Sequence, residues 1–182
     1  MTTWIGADFH FGHTNIMKFC PEARARFRND VDYMNEEMVA EWNRVVWPDD
    51  TVYMLGDVAF LSAEKATEIM RRLNGRKILV EGNHDHKLVK NPDFCACFEE
   101  IHKYLEIVYF KHKIVLSHYP FLEWNGMHRG ALHFFGHVHG GQLGVNQYRC
   151  RDVGMDATGS ILIKLDDAVA SVANNEIKSH TH

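Results

Sequence analysis

Arg76-Lys77-Ile78-Leu79-Val80-Glu81 is a short aliphatic run that stops at Gly82-Asn83-His84-Asp85. A run of that length closed by glycine predicts a buried strand with polar residues at its carboxyl end. Two earlier stretches share the form. Thr3-Trp4-Ile5-Gly6-Ala7 stops at Asp8-Phe9-His10, and Thr51-Val52-Tyr53-Met54-Leu55 stops at Gly56-Asp57. Between the runs lie two segments with helical spacing. Residues 32 to 46 place Met34, Met38, Val39, Trp42, Val45 and Val46 on an apolar stripe behind Asp32 as N-cap, and residues 62 to 73 follow Ser62 as a cap. Strand, helix, strand, helix, strand predicts parallel strands joined by crossover helices, with the polar clusters at the strand ends where such sheets place ligands.

The second half has a different rhythm. Ile101 to Phe110 and Lys113 to Leu116 are strand-like and separated by a polar turn at Lys111-His112, which predicts a hairpin or meander. Ala131 to Phe135 is a brief apolar run leading to Gly136. Tyr148 to Val153 and Ser160 to Leu165 predict two more strands, with Gly154 to Gly159 turning between them. After Asp166 the signal weakens, and residues 174 to 182 are expected to form a flexible tail. With no internal repeat and no low-complexity linker, residues 1 to 182 are expected to form a single domain, its two sheets meeting over a shared site.

The composition fits one globular core: 182 residues, 46% hydrophobic and 24% charged. A formal charge of −4 argues against an extended electrostatic grip on nucleic acid. The basic groups Arg24, Arg26 and Arg28, and Arg71, Arg72, Arg76 and Lys77, read as solvated faces. Cys20, Cys95, Cys97 and Cys150 have neither zinc-finger spacing nor the density of a disulfide scaffold, so reduced thiols are expected. The amino-terminal residues resemble no secretory signal and no run approaches a membrane span, so the expected location is cytoplasmic, with no membrane partner.

Two further clusters follow downstream, Ser117-His118 and Gly136-His137-Val138-His139. Asp8 and His10 are two residues apart, a spacing that puts both on one face of a strand or lets both reach one ion just beyond its end. Asp57 offers a carboxylate able to bridge two cations, Asn83 a neutral amide oxygen, and His118, His137 and His139 imidazole nitrogens. Mixed oxygen and nitrogen donors suit manganese, iron, zinc or nickel better than calcium, and the lack of cysteine in the set weighs against a closed structural zinc site.

The ordered motifs D-x-H, G-D, G-N-H-D, a lone H and G-H-x-H span Asp8 to His139. Together they resemble the calcineurin-like metallophosphoesterase superfamily, in particular its small bacterial or phage-type phosphoesterases. The resemblance implies a two-sheet β-sandwich flanked by helices, a four-layer α/β/β/α arrangement. It also implies two divalent metal ions, manganese being expected and iron, zinc or nickel the alternatives. Asp8, His10 and His139 would bind one ion, Asn83, His118 and His137 the other, and Asp57 would bridge. In that family's chemistry a hydroxide bridging the dinuclear metal site attacks phosphorus. His84 would contact the phosphate and protonate the leaving alkoxide, and Asp85 would orient His84. Asp152-Val153-Gly154-Met155-Asp156 resembles the family's N-V-G-x-D strand with Asp152 in place of Asn; Asp156 is expected to close the sheet rather than to bind metal.

The expected function is therefore a metal-dependent hydrolase, a phosphodiesterase acting on a nucleotide or other small substrate. A phosphomonoesterase or nuclease is the enzymatic alternative, and a non-catalytic scaffold of the same fold the other. The expected partner is a small phosphoester, with extended nucleic-acid binding not expected and the oligomeric state open. His13 and Asn15 are either loop-stabilising or substrate contacts. His128, Arg129 and His133 read as solvated loop residues, Trp42 as core, and Tyr119-Pro120-Phe121 as packing with pocket lining the alternative.

Overall fold

The computed structural model describes residues 1–141 and 143–179. Four parallel strands, β1 (Thr3–Gly6), β2 (Thr51–Met54), β3 (Arg76–Val80) and β4 (Glu100–His102), form a sheet in the order β4-β3-β2-β1. The chain between β1 and β2 forms α1 (Ile16–Phe19), α2 (Pro21–Arg24) and α3 (Val31–Val45); α4 (Ala63–Arg72) links β2 to β3, and α5 (Pro92–Cys95) precedes β4. A second sheet has the order β5-β6-β7-β8, from β5 (Leu105–Tyr109), β6 (His112–Leu116), β7 (Leu132–Phe135) and β8 (Cys150–Asp152). β5 and β6 form an antiparallel hairpin, and the other pairs are parallel. After α6 (Met155–Thr158), the short β9 (Ile163–Lys164) returns antiparallel to β1, and α7 (Leu165–Val172) follows. The result is a two-sheet α/β sandwich flanked by helices.

Alternation along the strands builds the layers. In β1 and β2, Trp4, Val52 and Met54 face a core shared with Met34, Met38 and Trp42 of α3 and Ile69 and Met70 of α4. Ile5, Tyr53 and Leu55 point the other way, against Ile114, Leu116, Leu132 and Phe134 of the second sheet and Leu165, Val169 and Val172 of α7. Strands buried on both faces must be apolar throughout, which is why they read as continuous aliphatic runs. On the remaining face of the second sheet, Val115 and Phe135 pack with Trp124, Met127 and Val145 from the loops.

Several expectations differ from the structure. The cap of α3 is Asp30, not Asp32: its carboxylate accepts the Asp32 and Tyr33 N–H groups at 3.0 Å each. Ser62 does cap α4, accepting from the Lys65 N–H. The single strand expected over Ile101 to Phe110 is two strands in different sheets, since β4 pairs with β3 while β5 pairs with β6; the chain crosses between sheets at Lys103-Tyr104. Gly154 to Gly159 is not a plain turn but holds α6. Beyond Asp166 the chain forms α7, whose buried residues Leu165, Ala168, Val169 and Val172 recur at helical spacing. The segment expected as a tail makes contacts at its start: the Asn175 carbonyl accepts from Arg149 Nε and the Glu176 N–H bonds to the Gln147 carbonyl. Residues 180–182 lie outside the described residues. Among the described residues no helix is long and apolar enough to cross a membrane.

Candidate metal centre

Five strand ends meet on one side of the sandwich. The loops beyond β1 and β2 run side by side, the Asp8 N–H bonding to the Gly56 carbonyl, His10 to Asp57 and Phe11 to Val58. Asp8, His10, Asp57, His137 and His139 all have left-handed backbones, with φ between 49° and 73°. Such a conformation costs a non-glycine residue on the order of 1–3 kcal/mol and concentrates at functional sites. Gly56 makes the approach possible: a Cβ there would lie 2.6 Å from the Gly82 backbone and 2.8 Å from His118 Nδ1.

The donor atoms converge. His10 Nε2 lies 3.7 Å from Asp57 Oδ2, and His118 Nε2 lies 3.5 Å from Asp57 Oδ1. Among the described residues three groups have mutual spacings suited to a shared cation: Asp8 with His10 and His139, Asp8 with Asp57 and His118, and, at the edge of the cluster, Cys20 with His139 and Asp156. Asn83 joins through its amide oxygen, 2.9 Å from His118 Nε2. His137 completes the cluster, its ring centroid 5.1 Å from that of His118. A cavity of about 360 Å³ opens over these groups, lined by His10, Asp57, Asn83, His84, His137 and His139, with Ile16, Phe19 and Phe60 as its apolar wall.

Three observations fit this set to a cation. First, His10 Nε2 is a buried nitrogen with no hydrogen-bond partner among the described residues, while its Nδ1 meets His13 Nδ1 at 3.1 Å. Second, His118 Nδ1 lies 2.8 Å from the Leu55 carbonyl, which only a donor satisfies; in the neutral ring Nε2 then presents a lone pair to the Asn83 oxygen, and a cation reconciles the two acceptors. Third, carboxylates crowd together. Burial pushes the Asp8 carboxyl up to about 8, Asp152 and Asp57 adding to the rise against His139. Burial also pushes the His10 imidazole down to about 2, reinforced by His139 and Arg24, so the ring stays neutral and able to ligate.

Around the donors lies a shell that orients them. His139 Nδ1 donates to Asp156 Oδ2 at 2.7 Å, which turns Nε2 away from that carboxylate. Asp156 also receives Arg24 Nε at 2.5 Å and Nη2 at 2.9 Å, while the same guanidinium donates to the Asp8 carbonyl at 2.7 Å and the Phe9 carbonyl at 3.0 Å. Arg24 is 1% exposed, so the solvated face expected for it is wrong at this position. One buried arginine thus ties the Asp8 segment to the His139 loop. Burial alone would raise the Asp156 carboxyl, but its bonds to His139 and Arg24 hold it at about 2.

His84, with its side chain 44% exposed, stands at the cavity with Nε2 3.9 Å from Asp57 Oδ2, and its backbone N–H donates to Asp57 Oδ1 at 3.0 Å. Asp85 does something other than expected. Its carboxylate accepts the backbone N–H groups of Asp57, Val58 and Gly82 at 2.8–2.9 Å, and among the described residues no hydrogen bond joins it to the His84 ring. Its role is to lock two strand ends together. His13 stacks on Phe60 with centroids 3.8 Å apart, and both line the cavity. His133 is buried rather than solvated, bonded to the Val115 carbonyl and the Phe121 N–H. Tyr119 packs edge-on to His137 at 4.7 Å, whereas Phe121 stacks on His133. Arg24 and Phe19 are site residues the sequence does not single out, because no local pattern distinguishes a buried arginine or a lining aromatic from surface and core ones.

A two-sheet α/β sandwich with histidines and carboxylates gathered at its strand ends defines the class of protein. No family model matches the chain. Over 116 residues, 63% of this chain, it is 36% identical to an uncharacterized protein of Methanocaldococcus jannaschii, and the match spans only 56% of that protein's length. A protein of unknown function from Aquifex aeolicus has a similar structure, with a TM-score of 0.73 and 26% identity over 94% of this chain and 99% of that one. A looser likeness, with a TM-score of 0.41 and 17% identity over 90% of this chain and 81% of the other, is to YfcE, a phosphoesterase from E. coli.

Proposed function

We propose that this protein is a metal-dependent phosphoesterase that hydrolyses a phosphodiester of a nucleotide or another small substrate. The observation that carries the reading is the clustering of Asp8 and His118 with His10, Asp57, Asn83, His137 and His139, the last five lining one cavity, with His10 Nε2 buried and without a hydrogen-bond partner among the described residues. The proposed ligands are Asp8, His10 and His139 for one divalent ion and Asn83, His118 and His137 for a second, with Asp57 shared; manganese is the proposed metal. Such ions supply Lewis acidity and lower the pKa of water. The chain's own residues do the rest. Arg24 and Asp156 hold Asp8 and His139 in place, Asp85 fixes the Asp57 and Gly82 backbones, and His84 extends from that rigid turn to contact the phosphate and deliver a proton to the leaving oxygen. Diesters are favoured because their poor alkoxide leaving groups gain most from that proton. The four cysteines are free, in keeping with the cytoplasmic location proposed for the enzyme.

A manganese-supplemented screen of cyclic nucleotides, dinucleotides, short single strands and monophosphates tests the proposal. Turnover of diesters above monoesters is the expected result. Activity on monoesters alone would overturn the diester preference, and none on any phosphoester would overturn the function.

A further inference from the structure

At the opposite end of β6 and β7 from His118 and His137 lies a second cavity, of about 360 Å³, lined by Lys111, His112, Lys113, Arg129 and Arg149. His112 and His118 stand at the two ends of β6, roughly 20 Å apart at about 3.3 Å per residue, so this cavity is separate from the metal cluster. Its charge is one-sided. Lys113 has a carboxylate partner, Glu106, at 2.6 Å. Among the described residues Arg149 donates only to the carbonyls of Asn175 and Gly130, and no carboxylate pairs with Lys111 or Arg129.

Some arginines elsewhere are paired, Arg26 with Glu41 at 2.5 Å, and Arg72 with Glu36 and Arg76 with Glu99 at 2.6 Å each, whereas among the described residues Arg28, Arg44 and Arg151 have no carboxylate partner and stand apart from this cavity. What distinguishes Lys111, Arg129 and Arg149 is that three cations without a carboxylate partner among the described residues line one concavity. The wall between them is kept low by glycine. Gly130 has φ +83°, and a Cβ there would stand 3.0 Å from Arg149 Nη1. Any larger residue would crowd the guanidinium that faces the cavity.

We propose that this cavity is a second, non-catalytic site for a compact anion carrying two or more phosphate groups, free or on a nucleoside. Arginine forks match phosphate oxygens two at a time, lysine adds point charge, and three free positive charges call for a ligand of comparable negative charge rather than a monoanion. The volume falls at the small end of the range for small-molecule sites. A concavity of that size in a chain of net charge −4 suits a compact ligand over a long strand, which requires a continuous basic track.

The test is calorimetric titration of the metal-loaded full-length protein with inorganic tripolyphosphate, against a Lys111→Ala/Arg129→Ala variant. Both residues are exposed, so an unchanged melting temperature and unchanged turnover of an aryl phosphodiester will show that fold and metal cluster are intact. The expected result is a saturable event weakened ten-fold or more in the variant, at an affinity that falls with added salt. Equal affinities for ATP and tripolyphosphate would mean that phosphates alone are read, and tighter ATP binding that the nucleoside contributes; both support the site. Superimposable isotherms for the two proteins would overturn it, as would an oligothymidylate that binds this region more tightly than tripolyphosphate.

Discussion

Replacing Arg24 by Met removes the guanidinium that joins the Asp8 segment to the His139 loop while keeping a side chain of similar length. Four hydrogen bonds to Asp156, Asp8 and Phe9 are lost from a position 1% exposed, and the Asp156 carboxylate is left buried without its guanidinium partner. Breaking one side of a buried ion pair costs about 3–5 kcal/mol. For a domain of this size that corresponds to a fall of roughly 6–20 °C in melting temperature, at about 2–4 °C per kcal/mol. Because Asp156 orients His139, manganese affinity should also weaken, by roughly 10- to 100-fold as for other partners of metal-binding histidines. Thermal unfolding of the metal-free protein and manganese titration read these effects separately. A double variant that adds Asp156→Asn should lose less than the sum of the single losses, because the stranded charge is gone. An Arg24→Met protein that melts within about 2 °C of the parent and binds manganese equally well would refute the bracing role.

The pH dependence of the metal-free protein has a definite sign. Asp8 is raised to about 8 in the fold, so the folded state binds the extra proton and stability falls as pH rises from about 4 to about 8. His10 is lowered to about 2 and His133 to about 4 from an ordinary 6.5, so their contributions rise with pH up to 6.5. Melting temperature should therefore peak near pH 6.5 and decline towards 8, and saturating manganese should remove the decline; a metal-free protein that grows steadily more stable from pH 6.5 to 8 would contradict the crowding at Asp8. Changing His84 to Ala should cut turnover of alkyl diesters by about 10²- to 10⁴-fold and of p-nitrophenyl diesters much less, since only the poor leaving group needs the proton. Equal losses on both substrates would assign His84 to phosphate binding alone.

The strands and helices of the first sheet were legible because both of its faces are buried, which makes each strand an unbroken apolar run and each crossover helix a stripe such as Met34, Met38 and Trp42. Legibility failed where the chain changes partners without changing composition. Ile101 to Phe110 carries no glycine or proline at Lys103-Tyr104, so nothing local marks the crossing from one sheet to the other. α7 was readable in principle from Leu165, Ala168, Val169 and Val172, but its eight residues are too few for the period to stand out. At the site, histidines and carboxylates announce themselves by type and spacing, whereas their supports do not. Arg24 resembles the exposed Arg26 and Arg28 until the fold brings Asp156 to it from 132 residues away. Asp85 sits beside His84 in sequence, yet its carboxylate faces the amides of neighbouring strand ends.

The most direct measurement compares hydrolysis of bis-p-nitrophenyl phosphate by the manganese-loaded protein and by an Asp57→Ala variant. Asp57 lies between His10 and His118, within 3.7 Å of both, so its loss should remove the carboxylate proposed as the shared ligand. The account predicts turnover that requires metal in the parent protein and is abolished in the variant, with the fold retained. Turnover that is independent of metal, or that survives in Asp57→Ala, would contradict it.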